Sequence, residues 1–151
     1  MQALNAQRKA FLDMLAWSEG TDKPGQPTKN HGYDVIVGGS LFTSYADHPR
    51  KLITLNPRLK STAAGRYQLL SRYWDAYRSQ LGLRDFSPAS QDAVALQQIK
   101  ERRALQLIDE GYIRQAIDRC SNIWASLPGA GYGQHEHKVE NLLKKFKEAG
   151  G

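Results

Sequence analysis

The chain has 151 residues, enough for one compact domain whose core needs no disulfide or metal. Hydrophobic residues make up 40% and charged residues 24%, which excludes a wholly disordered chain. The formal charge of +6 points to polyanions, whether nucleic acid, a membrane surface or an anionic cell wall, without choosing among them.

The first segment, MQALNAQRKAFLDMLAW, carries charges at Arg8, Lys9 and Asp13, and no long apolar core follows. It is not expected to be a signal peptide. No run of about 18 apolar residues occurs, so no membrane span is expected. From about Ala6 to Ser18 the pattern is helical, with Asn5 as N-cap and Phe11, Met14, Leu15 and Trp17 broadly on one side. The segment stops at Glu19-Gly20, and TDKPGQPTKNHG reads as a loop.

Three short runs rich in β-branched and aromatic residues follow: YDVIV, LFTSY and KLITL. Gly38-Gly39 suggests a tight hairpin between the first two, and Pro49 and Pro57 mark loops around the third. From Gly65 onward the chain is helical again, with Leu70, Trp74, Tyr77 and Leu81 at helical spacing. Ser87-Pro88 opens a further helix carrying Ala93, Leu96 and Ile99. Gly111 breaks the pattern before the stripe Ile113, Ala116, Ile117, Cys120. The lone cysteine allows no intrachain disulfide and reads as a buried structural thiol. A glycine loop, PGAGYGQ, precedes a last amphipathic helix with Val139, Leu142, Leu143 and Phe146. One helix, a small β region and then several helices predict an α+β fold in a single domain over residues 1–151.

Glu19 stands past an apolar helix end, where the helix dipole is already negative. A carboxyl backed by Phe, Leu and Trp side chains has its pKa raised and can serve as a general acid. On local sequence alone, a solvated surface glutamate is the weightier reading. Asp34 follows about fifteen residues later, and carboxylate pairs are what glycosidases commonly use. A turn or strand-end aspartate is the competing reading. Ser61 to Gln68, STAAGRYQ, offers small residues for close approach of a ligand and an amide in Gln68 for an amide-bearing sugar. The plainer reading is a tight helix start. Tyr132 in the glycine loop is a candidate lip over a groove, or part of a simple connection. His135 and His137 are two apart on an expected helix and so face different sides, which is not a zinc pair. No metal and no cofactor is expected, and no nucleic-acid motif is present.

Together these stretches resemble one family, the lysozymes of bacteriophage lambda and its prophage relatives. The resemblance runs over nearly the whole chain, through QRKAFLDMLAWSEGTD, NHGYDVIVGG, HPRKL, TLNP, GRYQLLSR, FSPASQDAVALQQIKER, IRQAIDRCSNIWASLPGAGYGQ and KFKEAGG. It implies a lysozyme-like α+β fold, a mostly helical lobe plus a small antiparallel β region with the active-site cleft between. It implies that Glu19 is the catalytic residue of a peptidoglycan lytic transglycosylase. Such an enzyme cleaves between N-acetylmuramic acid and N-acetylglucosamine and leaves a 1,6-anhydro end. The loops around Lys51 to Lys60 and Pro128 to Gln134 match the family's two lips. STAAGRYQ is also similar to the A-x-G-x-x-Q element of other lytic transglycosylases, which supports sugar binding at Gln68.

Under that mechanism one carboxylate suffices, and Asp34 supports the cleft instead of attacking. Gln68, Tyr132 and Tyr33 are the expected substrate contacts. A hydrolytic muramidase using Glu19 and Asp34 is the alternative. The expected partner is the glycan strand of peptidoglycan, with release dependent on a holin, no nucleic acid, no stable membrane insertion and a monomeric state. The expected location is the host cytoplasm until release, then the periplasmic wall.

Overall fold

The computed structural model describes residues 2–129 and 136–151. Among them are six helices and one two-stranded antiparallel sheet, an α+β composition. In chain order these are α1 (Ala6–Ser18), β1 (Ile53–Asn56), β2 (Leu59–Ser61), α2 (Ser71–Leu81), α3 (Pro88–Glu101), α4 (Leu105–Asp109), α5 (Ile113–Cys120) and α6 (Val139–Glu148). The chain forms two compact units, Met1–Glu19 with Ala95–Gly151, and Gly20–Val94.

In the first unit α1 begins as the sequence predicts. The Asn5 side chain accepts the Arg8 N–H at 2.8 Å, satisfying a donor that the first helical turn leaves open. Ala10, Phe11, Leu12, Met14, Leu15 and Ala16 are all 2% exposed or less. A helix apolar on most of its faces belongs in a core, so burial goes further round α1 than one face. α1 packs on α4 and α6, and α5 packs on the same two helices. Arg8 grips Asp109 at the end of α4 with two hydrogen bonds, Nε to Oδ1 at 3.0 Å and Nη2 to Oδ2 at 2.8 Å. Ile113, Ala116, Ile117 and Cys120 form the buried stripe of α5. Burial pushes the Cys120 thiol up to about 12, so it stays protonated and unreactive.

The second unit has less regular structure than its three apolar runs suggest. Only the third run forms a strand, and β1 pairs with β2 across the Asn56–Arg58 turn instead of with the earlier runs. YDVIV and LFTSY meet at a single bridge, Val35 to Leu41. Gly38 and Gly39 make the expected turn, both at positive φ, and the Gly39 N–H donates to the Ile36 carbonyl. Ile36 bridges instead to Ala64, which also pairs with Leu69. The chain after Gly65 therefore remains a tight loop, and α2 starts only at Ser71. Ala64, Leu69, Trp74, Phe86 and Val94 form this unit's buried cluster, with Phe42, Tyr77, Leu81 and Leu83 packed around it. Ser87 caps α3 as expected, its hydroxyl accepting the Ser90 N–H at 3.3 Å.

Candidate active site

Glu19 is the C-cap of α1, and its N–H donates to the Leu15 carbonyl at 2.8 Å. The peptide dipoles of α1 place their negative end at this residue, which disfavours a second negative charge. The larger effect is burial. Protein atoms displace the water that would stabilise an ionised carboxylate and push the Glu19 pKa up to about 7. Among the described residues a single hydrogen bond opposes it: Ser126 Oγ donates to Glu19 Oε2 at 2.6 Å. Glu19 is still partly exposed. A carboxyl balanced near neutrality can give a proton and take one back, as acid–base catalysis requires.

The surroundings of this carboxyl in the first unit are small and specific. Ser18 and Ser126 are 4% and 8% exposed, and their hydroxyls lie 2.7 Å apart. The Ser126 carbonyl accepts the His137 N–H at 2.9 Å. His137 Nε2 donates in turn to the Ser18 carbonyl at 3.0 Å. The His137 ring packs on Trp17, with centroids 4.6 Å apart, and Lys145 Nζ lies 5.1 Å from the Trp17 ring centroid. His137 precedes α6 instead of lying on it, which corrects the helical placement expected from sequence. Its ring serves the backbone at the end of α1.

The other candidates among the described residues lie in the second unit. Asp34 is 5% exposed and engaged by its own loop. Thr28 Oγ1 donates to Asp34 Oδ1, and the Lys29 N–H donates to Oδ2 at 3.1 Å. Thr28 Oγ1 also accepts the N–H groups of Asn30 and Gly32. The loop needs glycine at position 32: φ is +89°, and a Cβ there would sit 2.8 Å from the Thr21 carbonyl oxygen. Tyr33 donates its hydroxyl to Asp92 at 2.9 Å, as Tyr67 does at 2.6 Å. Burial and the nearby Asp92 charge push the Tyr33 phenol up to about 12. Gln68 adopts φ +53° and donates its amide to the carbonyls of Gly65 at 2.9 Å and Val35 at 3.3 Å. Gln68 therefore stitches its loop to the segment that carries Asp34. The loop over residues 51–60 is largely the β1–β2 hairpin. Tyr132 lies outside the described residues.

Sequence reasoning missed Arg66, the hub of the second unit. Its backbone N–H donates to Gln91 Oε1, and its carbonyl accepts the buried Thr21 hydroxyl at 2.6 Å. Its guanidinium donates to the His31 carbonyl, the Tyr67 hydroxyl and Asp22 Oδ2 at 2.8, 3.1 and 3.0 Å. The cation also lies 5.3 Å from the Tyr33 ring centroid and 5.7 Å from that of Tyr67. Its one visible signal is an arginine set among small residues in AAGRYQ. Ser126 carries no such signal, because it stands 107 residues from the carboxyl it meets.

The chain is similar to known proteins over nearly its whole length. The family model described as Endolysin matches residues 9–151. The endolysin of Escherichia phage lambda is 80% identical over 151 residues, covering 100% of this chain and 96% of that protein. The endolysin of Escherichia phage P2 is 57% identical over 153 residues, covering 94% of this chain and 92% of that protein. A structure of bacteriophage lambda lysozyme complexed with a chitohexasaccharide matches with a TM-score of 0.99 at 80% identity, covering 100% of this chain and 98% of that one. A second structure of lysozyme from bacteriophage lambda matches with a TM-score of 0.95 at 78% identity, again over 100% of this chain and 98% of that one. With its lysozyme-like α+β fold, the chain belongs to the endolysin family.

Proposed function

We propose that this endolysin cleaves peptidoglycan glycan strands as a lytic transglycosylase, with Glu19 acting first as acid and then as base. The observation that carries the reading is one carboxyl held near neutrality by burial, with a single hydroxyl donor and no charged partner among the described residues. Glu19 in its acid form donates its proton to the glycosidic oxygen between N-acetylmuramic acid and N-acetylglucosamine. As that bond breaks, positive charge develops at the muramic anomeric carbon, where the substrate's own acetamido oxygen can stabilise it. The muramic 6-hydroxyl attacks that carbon, and the Glu19 carboxylate removes the hydroxyl proton. The 1,6-anhydro ring closes, the acid form of Glu19 is regenerated and no water is consumed.

The engagement of Asp34 supports a single-carboxylate mechanism. A buried carboxylate bonded to Thr28 and Lys29 holds its loop and is poorly placed to attack or activate water. Tyr33 is read the same way, as framework, since its hydroxyl serves Asp92. Gln68 can still offer its amide oxygen to an acetamido group, and Tyr132 is the proposed aromatic contact. The chitohexasaccharide carried by the lambda lysozyme structure supports a glycan substrate for this relative. The resemblance extends the proposal to release through a holin pore, from the cytoplasm to periplasmic peptidoglycan.

The test is mass spectrometry of digested muropeptides together with Glu19→Gln. Anhydro ends, one water lighter than reducing ends, are expected. The variant should lose on the order of a hundredfold or more of its activity while remaining folded. Reducing ends alone would establish the hydrolytic muramidase, and full activity in Glu19→Gln would remove Glu19 from the chemistry.

A further inference from the structure

We propose that Ser126 is a positioning residue for the Glu19 carboxyl, itself aligned by Ser18 and by a backbone clamp through His137. The inference rests on the reading of Glu19 as the acid–base group. A serine hydroxyl has one proton to donate. If Ser126 Oγ donates to Glu19 Oε2 at 2.6 Å, its 2.7 Å contact with Ser18 Oγ must be one that it accepts. The polarity of the chain is therefore Ser18 to Ser126 to Glu19.

The backbone under this chain is held from the other side. A carbonyl oxygen only accepts, so His137 Nε2 carries a proton and donates to the Ser18 carbonyl. The His137 N–H donates to the Ser126 carbonyl. One histidine therefore fixes both serine-bearing segments, and its ring is packed on Trp17. This arrangement fixes Oε2 of Glu19, and among the described residues Oε1 has no hydrogen-bond partner. One oxygen serves alignment, and the other is left for substrate.

The same bond tunes the acid. A hydroxyl donor favours the charged carboxylate, so Ser126 pulls the Glu19 pKa down while burial drives it up. Lys145 lies over Trp17 and pairs with Glu148, His137 bonds the two carbonyls' segments, and Glu136 accepts the Gly129 N–H. Removing the Ser126 hydroxyl should therefore raise the Glu19 pKa and keep the acid form populated to higher pH. Simple damage to the fold would not produce that shift.

The experiment measures kcat and KM of the full chain on purified peptidoglycan across pH, for Ser126→Ala, Ser126→Thr and Ser18→Ala. Ser126→Ala should lower kcat by about tenfold to a hundredfold, with KM little changed. Its alkaline limb should move upward by about one pH unit. Ser126→Thr keeps the hydroxyl and should restore both values. Ser18→Ala should move the limb the same way by less, and it carries the test if circular dichroism shows that Ser126→Ala does not fold. An alkaline limb that stays at the wild-type pH or moves down in the folded alanine variants would overturn the proposal. So would a threonine variant as impaired as the alanine. If Glu19→Gln is inactive while these limbs stay fixed, only the role of Ser126 falls. If Glu19→Gln is active, the reading of Glu19 itself falls.

Discussion

The end of α1 and the loops of the second unit treat carboxyl groups in opposite ways. Among the described residues Glu19 has one hydroxyl donor, and burial pushes its pKa up to about 7. Asp47 of the second unit is met by Arg50 and by the Trp74 indole, and these donors hold it near 2. Asp22 pairs with Arg66, Asp92 accepts two phenols, and Asp34 accepts a hydroxyl and an amide. The difference teaches that an acid is prepared by withholding partners from it. Donors hold Asp47 as an anion, whereas burial with a single hydroxyl donor among the described residues lets Glu19 keep its proton to higher pH.

The largest effect on stability should come from the best-connected group of the second unit. Arg66→Met leaves Asp22 without its buried cation and strips donors from the His31 carbonyl. A loss of about 3–5 kcal/mol is expected from urea denaturation. A loss below 1 kcal/mol would mean that the hub is not what holds these loops.

Glu19→Gln should have the opposite sign. The folded pKa of about 7 lies above the ordinary 4.5, so the folded state binds the Glu19 proton more tightly than the unfolded chain does. Wild-type stability contributed by this site is complete below about 4.5 and is lost as pH rises through about 7. Glutamine does not titrate and can still accept from Ser126. The variant should gain on wild type by up to about 3 kcal/mol across that window. Thermal melts at several pH values check it, and a stability difference that does not change with pH would contradict the raised pKa.

Asp34→Asn should show the smallest effect. One of its two donors would face an amide N–H, costing about 1–3 kcal/mol. Turnover per folded molecule should remain substantial. A loss of activity as deep as that of Glu19→Gln, with the fold intact, would place Asp34 in the chemistry and erase the contrast between the two carboxyl groups.

Local signals in the sequence were legible where local physics decides. The Asn5 cap, the Ser87 cap, the α5 stripe and the Gly38-Gly39 turn all follow from near neighbours. The strands were harder to read, because YDVIV meets LFTSY at one bridge only and Ile36 pairs with Ala64 far along the chain. At the site, Glu19 is visible as an odd acid at a helix end, and the family resemblance gives it weight. Gln68 is visible as a motif residue, yet its amide turns inward because a positive φ and two carbonyls hold it. Arg66, Ser126 and His137 act through contacts that no short window contains.

The 107-residue separation of Glu19 and Ser126 also orders events during synthesis. The second unit is one continuous segment, whereas the first is assembled from two pieces on either side of it. A ribosome completes every residue of Gly20–Val94 before it makes Ser126. Continuous segments close shorter loops and fold earlier, and pairings across long separations come late. The tuned acid is therefore among the last features a nascent chain acquires, and a product truncated before Ser126 carries Glu19 without its aligning hydroxyl.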